Sequence, residues 1–104
     1  MYYKFKLIPI NEMGKRRTRA ELLCEVLETI NSGIKKPTHI LYNTKVSWTV
    51  LQEMLDLLQD RDYIEKHELN KSKTRTRVNY SLTEEGKSIL SNMQYIRDTL
   101  QIEI

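Results

Sequence analysis

From residue 71 to residue 77 a cation stands at every second position: Lys71, Lys73, Arg75 and Arg77. In an extended chain successive side chains point to opposite faces, so this spacing lines one face with positive charge. The alternate register becomes apolar through Val78, Tyr80 and Leu82. Long, flexible cations with no acid among them are suited to neutralising a ladder of phosphates. A solvated hairpin kept soluble by its charge is the plainer alternative. A second group of polar residues lies in "KVSWTVLQ", where Lys45, Ser47, Trp48, Thr49 and Gln52 cluster. Hydroxyls and helix N-terminal amides suit phosphate oxygens. A glutamine can pair with adenine N6 and N7, and a threonine methyl can meet a thymine methyl. Further basic residues gather in "GKRRTR", which holds Arg16 and Arg17, and at Lys35 and Lys36.

Catalysis has little support in the sequence. There is no phosphate-binding glycine loop, no metal-ligand spacing and no nucleophile–base pattern, so neither a metal nor another cofactor is expected. The single cysteine, Cys24, excludes an internal disulfide framework. A buried small hydrophobe is its simplest reading. No apolar run approaches the ~20 residues that cross a bilayer, so no membrane partner is expected and the location expected is the cytoplasm, on the nucleoid. A net charge of +3 is too small to imply a nucleic acid alone; the clustering of the cations carries more weight.

Several elements must position these groups. Thr18 and Glu21 have capping-box spacing ahead of an apolar run from Leu22 to Ile30. Gly33 suits the left-handed position that ends such a helix, with Ile34 as the apolar contact. The apolar stripe of this first helix is wider than one packing partner needs, which predicts a second partner within the chain or on another copy. Pro37 opens a short second helix, "PTHILYN". Val46 anchors the following bend, and Ser47 caps a third helix whose buried stripe is Leu51, Met54, Leu55 and Leu58. Asp62 ends it in a left-handed conformation. "YIEKHEL" and "RVNYSL" read as two strands around the basic loop. Thr83 caps a last helix in which Ile89, Met93, Ile96 and Leu100 recur at the spacing of a helix seam.

In "KKPTHILYNTKVSWTVLQEMLDLLQDRDYIEK" followed by "VNYSLTEEGKSIL", the chain resembles an archaeal winged helix-turn-helix protein. The features that carry the resemblance are Val46 and Ser47 before the third helix, Leu55 to Leu58 at its end, the pair Tyr63 and Ile64, and the run Tyr80 to Gly86. Asp62 departs from the family pattern, which usually has glycine there. The resemblance implies DNA binding; some relatives are small basic chromatin-like proteins that dimerise through the C-terminal helix, and others are local transcription regulators.

The expected fold is therefore α+β, a winged helix-turn-helix with an additional C-terminal helix. Residues 1–14 form an arm or extra strand, 15–82 the winged domain and 83–104 a dimerisation helix. In a helix-turn-helix the second helix of the motif enters the major groove with its N-terminal residues nearest the bases. That places Lys45, Ser47, Trp48, Thr49 and Gln52 on double-stranded DNA, joined by Arg16, Arg17 and the wing cations Lys71, Lys73, Arg75 and Arg77. Trp48 has two readings, a surface aromatic against sugar or base, or a side chain packed on the wing or second helix. Glu53, Asp56 and Asp60 continue along the outer face of the third helix and argue against deep insertion. The expected partners are double-stranded DNA and a second copy of the chain, joined through Ile89, Met93, Ile96 and Leu100. A protein-interaction adaptor and a non-specific chromatin protein are the alternatives, because a fold does not dictate its use.

Overall fold

The computed structural model describes residues 17–69 and 77–101. The expected arm at residues 1–14, Arg16 and the cations Lys71, Lys73 and Arg75 lie outside those residues. The described elements are α1 (Arg19–Asn31), α2 (Pro37–Thr44), α3 (Trp48–Asp60), β1 (Ile64–Leu69), β2 (Arg77–Leu82) and α4 (Glu84–Leu100).

Each helix starts where its capping chemistry directs. Thr18 accepts a hydrogen bond from the Glu21 amide at 3.0 Å, and the Glu21 carboxylate accepts from the Thr18 amide at 2.6 Å, completing the capping box of α1. Pro37 occupies the first turn of α2, where its missing N–H costs nothing. Ser47 accepts from the Val50 amide at 3.2 Å, and Thr83 from the Gly86 amide at 2.9 Å.

The ends of α1 and α3 share one geometry. At α1, Ile34 donates to the Thr29 carbonyl and Gly33 to the Ile30 carbonyl, with Gly33 at φ 108°. At α3, Tyr63 donates to the Leu58 carbonyl and Asp62 to the Gln59 carbonyl, with Asp62 at φ 60°. Both are paired closures of a Schellman type. The second uses aspartate where glycine is the easier residue.

The core collects Cys24, Val26, Leu27 and Ile30 from α1, Ile40 from α2, and Leu51, Met54, Leu55 and Leu58 from α3. Ile64, Tyr80 and Leu90 complete it from β1, β2 and α4. The wide stripe of α1 is used within the chain, since α1 packs against α2, α3, α4 and β2. Ala20, at the start of that stripe, is exposed. Two buried hydroxyls are satisfied locally: Thr44 donates to the Ile40 carbonyl, and Thr29 donates to the Glu25 carbonyl while accepting from Asn43.

The strands pair antiparallel, with Ile64 opposite Leu82, Lys66 opposite Tyr80 and Leu69 opposite Arg77. Directly opposed residues share a face. One face therefore holds Ile64, Lys66, Glu68, Val78, Tyr80 and Leu82, and the other holds Glu65, His67, Leu69, Arg77, Asn79 and Ser81. The Tyr80 amide donates to the Lys35 carbonyl at 3.0 Å, which ties β2 to the link between α1 and α2.

At the start of α4 the packing is closest. A Cβ on Gly86 would overlap the Tyr63 carbonyl oxygen and lie 2.9 Å from its carbon. Thr83 donates its hydroxyl to the Asp62 carbonyl at 2.6 Å and its amide to the Tyr63 carbonyl at 3.1 Å. Gly86→Ala should lower unfolding free energy by about 3 kcal/mol, the upper end of overpacking costs, because backbone must move to admit the methyl. Asp62→Gly should raise it by about 1 kcal/mol by relieving the left-handed conformation. Urea titration followed by circular dichroism checks both, as opposite shifts of midpoint at constant slope.

Candidate nucleic-acid interface

The bend between α2 and α3 is built by Lys45, Val46 and Ser47. Lys45 closes α2 in a left-handed conformation (φ 58°, ψ 41°), its amide donating to the Leu41 carbonyl at 2.9 Å. Val46 is half-buried against the core and holds the bend. Ser47 then caps α3, so the N-terminal amides of that helix begin directly after an exposed lysine.

The first turn of α3 contains no acid. Ser47, Trp48 and Thr49 are exposed, and Trp48 retains 49% of its accessible surface. This exposure favours the surface-aromatic reading of Trp48 over the packed one. A helix N-terminus carries partial positive charge, so an acid-free first turn preceded by Lys45 is electrostatically suited to a polyanion.

Further along α3 the character changes. Gln52 is half-buried and donates to Asp56 Oδ1 at 3.2 Å, one turn on in the same helix. That bond uses one of the two N–H donors of the amide, which also carries Oε1 as an acceptor. Asp56 also acts on the hairpin: burial pushes the Tyr80 phenol above its usual pKa, and the Asp56 charge adds to the effect. Glu53, Asp56 and Asp60 are all exposed on the outer face of α3.

Arg17 has a position that spacing did not foretell. Its Nη1 pairs with Glu25 Oε1 at 2.5 Å, and its Nη2 donates to the Lys45 carbonyl at 3.3 Å. The sequence placed Arg17 on DNA; in the structure its one guanidinium joins α1 to the bend before α3. Arg17 lies before the cap of α1, so no helical periodicity links it to Glu25. Of the wing cations only Arg77 falls among the described residues, exposed at the far end of β2. On the same face His67 Nε2 lies 2.8 Å from Ser81 Oγ and 3.8 Å from Glu65.

The proposed seam residues of α4 divide. Ile89 and Met93 are half-buried against the core of their own chain, whereas Ile96 and Leu100 are exposed, as is Tyr95 just before them. On the inner side of α4, Arg97 Nη1 and Gln94 Nε2 both donate to Glu28 Oε2, at 3.2 and 3.0 Å. The hydrogen bond to Glu28, together with the charge of that carboxylate, raises the Arg97 pKa. Cys24 is buried beneath them, and burial, with Glu28 and Glu25, pushes its thiol up. That environment disfavours the thiolate, in keeping with a packing role. No helix among the described residues is long and apolar enough to cross a membrane.

Four helices, a two-stranded hairpin between the third and fourth, and a capped helix after a tight bend agree with what comparison finds. Residues 16–101 match the winged helix-turn-helix family. The chain belongs to that family. It is 30% identical over 78 residues to an uncharacterised protein of Methanocaldococcus jannaschii, covering 75% of this chain and 71% of the relative. Among solved structures it resembles Sso10a-2, a DNA-binding protein from Sulfolobus solfataricus, with a TM-score of 0.65 and 25% identity over 82% of this chain and 86% of that one. It also resembles a PadR-like transcription factor from Bacteroides fragilis, with a TM-score of 0.70 and 19% identity over 77% and 82% of the two chains. The fold is thus that of winged-helix DNA-binding transcription regulators.

Lys45 combines an exposed cation with a strained backbone, and glycine separates the two. Lys45→Gly should leave the protein as stable or more so by differential scanning calorimetry, because glycine adopts the left-handed region freely. In DNA titrations the same variant should reduce the log–log salt slope by about 0.9, the share of one neutralised phosphate.

Proposed function

We propose that this winged helix binds double-stranded DNA as a homodimeric transcription regulator, with the first turn of α3 in the major groove and the basic wing on phosphates. The observation that carries this reading is the exposed, acid-free start of α3, where Lys45, Ser47, Trp48 and Thr49 precede any carboxylate. Backbone amides, two hydroxyls, an indole and a cation there offer donors to phosphate oxygens and base edges together. The carboxylates of Glu53, Asp56 and Asp60 keep the rest of the helix away from phosphates, so docking is shallow and sequence discrimination modest.

The wing supplies the electrostatic part. Lys71, Lys73 and Arg75 alternate with small polar residues in the sequence between β1 and β2, and Arg77 is the first residue of β2. Arg75, in the middle of this alternating run of the sequence, would be the arginine to enter a narrow minor groove. In solution, α4 of one copy would meet another through Ile96 and Leu100, with Ile89 and Met93 supporting that surface from beneath. Dimerisation of this kind puts two reading heads on one duplex and fixes half-site spacing. DNA binding by the Sulfolobus protein and transcriptional control by the Bacteroides one, as their names state, agree with the reading.

Two measurements test its halves separately. Replacing Lys73, Arg75 and Arg77 with Ala should weaken duplex binding and lower the salt slope by about 0.9 for each phosphate no longer neutralised. Unchanged affinity and slope would remove the wing from the interface. Light scattering should give a dimeric mass for the wild-type protein and a monomeric mass for Ile96→Glu with Leu100→Glu, with helix content retained in both. A monomeric wild type at working concentration would reject the dimer.

A further inference from the structure

Arg17 bridges two parts of the chain that no backbone hydrogen bond joins directly. One arm of its guanidinium pairs with Glu25, in the middle of α1, and the other donates to the Lys45 carbonyl. Lys45 is where the chain is left-handed, two residues before the cap of α3. The two acceptors belong to a helix and to the bend that sets the position of the next helix but one. A planar fork with fixed N–H directions can serve both at once, whereas a lysine ammonium offers no such fixed geometry. Both the Arg17 and the Glu25 side chain keep only about a third of their surface accessible, 32% and 36%, so neither is a freely solvated charge.

We infer that Arg17 is a positioning residue for the reading head: it clamps the α2–α3 bend to α1 and so fixes the aim of Ser47, Trp48 and Thr49, without itself neutralising a phosphate. The clamp deepens the DNA-binding reading and rests on it for its effect on affinity, but its mechanical part stands independently. A carbonyl left without the guanidinium would still be solvated at the surface, so the bend would persist. What it would lose is its own tie to α1 at Lys45, leaving the Asn43–Thr29 hydrogen bond two residues earlier. The pairing also cancels the Glu25 charge next to a surface that is proposed to face phosphates.

Three variants distinguish a clamp from a direct phosphate ligand. Arg17→Met removes the donors and keeps the stem. Arg17→Lys keeps the charge without the fork. Glu25→Ala keeps Arg17 and removes its anchor. The probe for the bend is Trp48, the sole tryptophan of the chain, three residues after Lys45. Nanosecond fluorescence anisotropy is measured well below the melting transition, where circular dichroism shows each variant folded.

A clamp predicts larger-amplitude Trp48 motion in all three variants and duplex affinity reduced about three- to tenfold, as expected when a charge-assisted hydrogen bond is removed. It also predicts no rescue by Arg17→Lys, and a salt slope within experimental error of wild type for Arg17→Met. Overturning results are equally specific: a slope lowered by about 0.9 in Arg17→Met with unchanged Trp48 motion, rescue by Arg17→Lys, or tighter DNA binding in Glu25→Ala as the arginine is freed. If wild-type protein binds no duplex at all, the DNA reading fails, and the Trp48 measurement still decides the clamp. Unchanged anisotropy in all three variants would overturn it there too.

Discussion

The rest of the structure depends on a close approach of backbone to backbone. Gly86, one turn into α4, lies so near the Tyr63 carbonyl that no side chain fits between them. The same carbonyl accepts from the Thr83 amide, and the Thr83 hydroxyl reaches the Asp62 carbonyl. Three features meet at that point: the left-handed residue that ends α3, the first residues of the hairpin and the cap of α4. The direction of the wing and the direction of the C-terminal helix are therefore set against the end of α3 by one junction. If α4 forms a dimer contact, the same junction determines how far apart two α3 helices stand.

This junction explains why the run from Tyr80 to Gly86 is the most distinctive part of the sequence. Tyr80 is buried and its amide reaches the Lys35 carbonyl; Leu82 faces Ile64; Thr83 caps and staples; Gly86 yields space. Each role restricts the residue type, so each leaves a mark in sequence. The capping box at Thr18 and Glu21, the Ser47 cap and the stripe from Leu51 to Leu58 were legible for the same reason: local chemistry with a fixed period or offset dictates them. Other features depend on groups distant in the chain and leave no such mark. Arg17 finds Glu25 and Lys45 only after folding has brought the three together. The regular spacing of Ile89, Met93, Ile96 and Leu100 suggested one continuous seam, but the first two are half-buried against the chain's own core and the last two exposed, while Gln94 and Arg97 face Glu28 of α1. Spacing reports which residues share a helix face, not where the neighbouring surface ends.

The electrostatic layout of α3 places a limit on what such a head can read. Positive potential is concentrated at the N-terminal end, through Lys45 and the helix amides, and negative charge follows within two turns at Glu53 and Asp56. A helix lying along the major groove would set those carboxylates against phosphates, at a cost that no contact among the described residues offsets. Insertion by the tip avoids it. On the proposed reading, fewer base edges would then be within reach, and more of the affinity would fall to the wing and its counterion release.

The same layout gives Asp56 a second consequence. Its carboxylate accepts from the Gln52 amide, and its charge adds to the burial that raises the Tyr80 phenol pKa. The bond to Asp56 orients the Gln52 amide and uses one of its two N–H donors; on the proposed reading the other N–H and Oε1 would make a bidentate pairing with adenine. Discrimination by this head, where it exists, should therefore concentrate at a single position opposite Gln52, with the neighbouring positions read mainly through the shape and phosphates of the duplex.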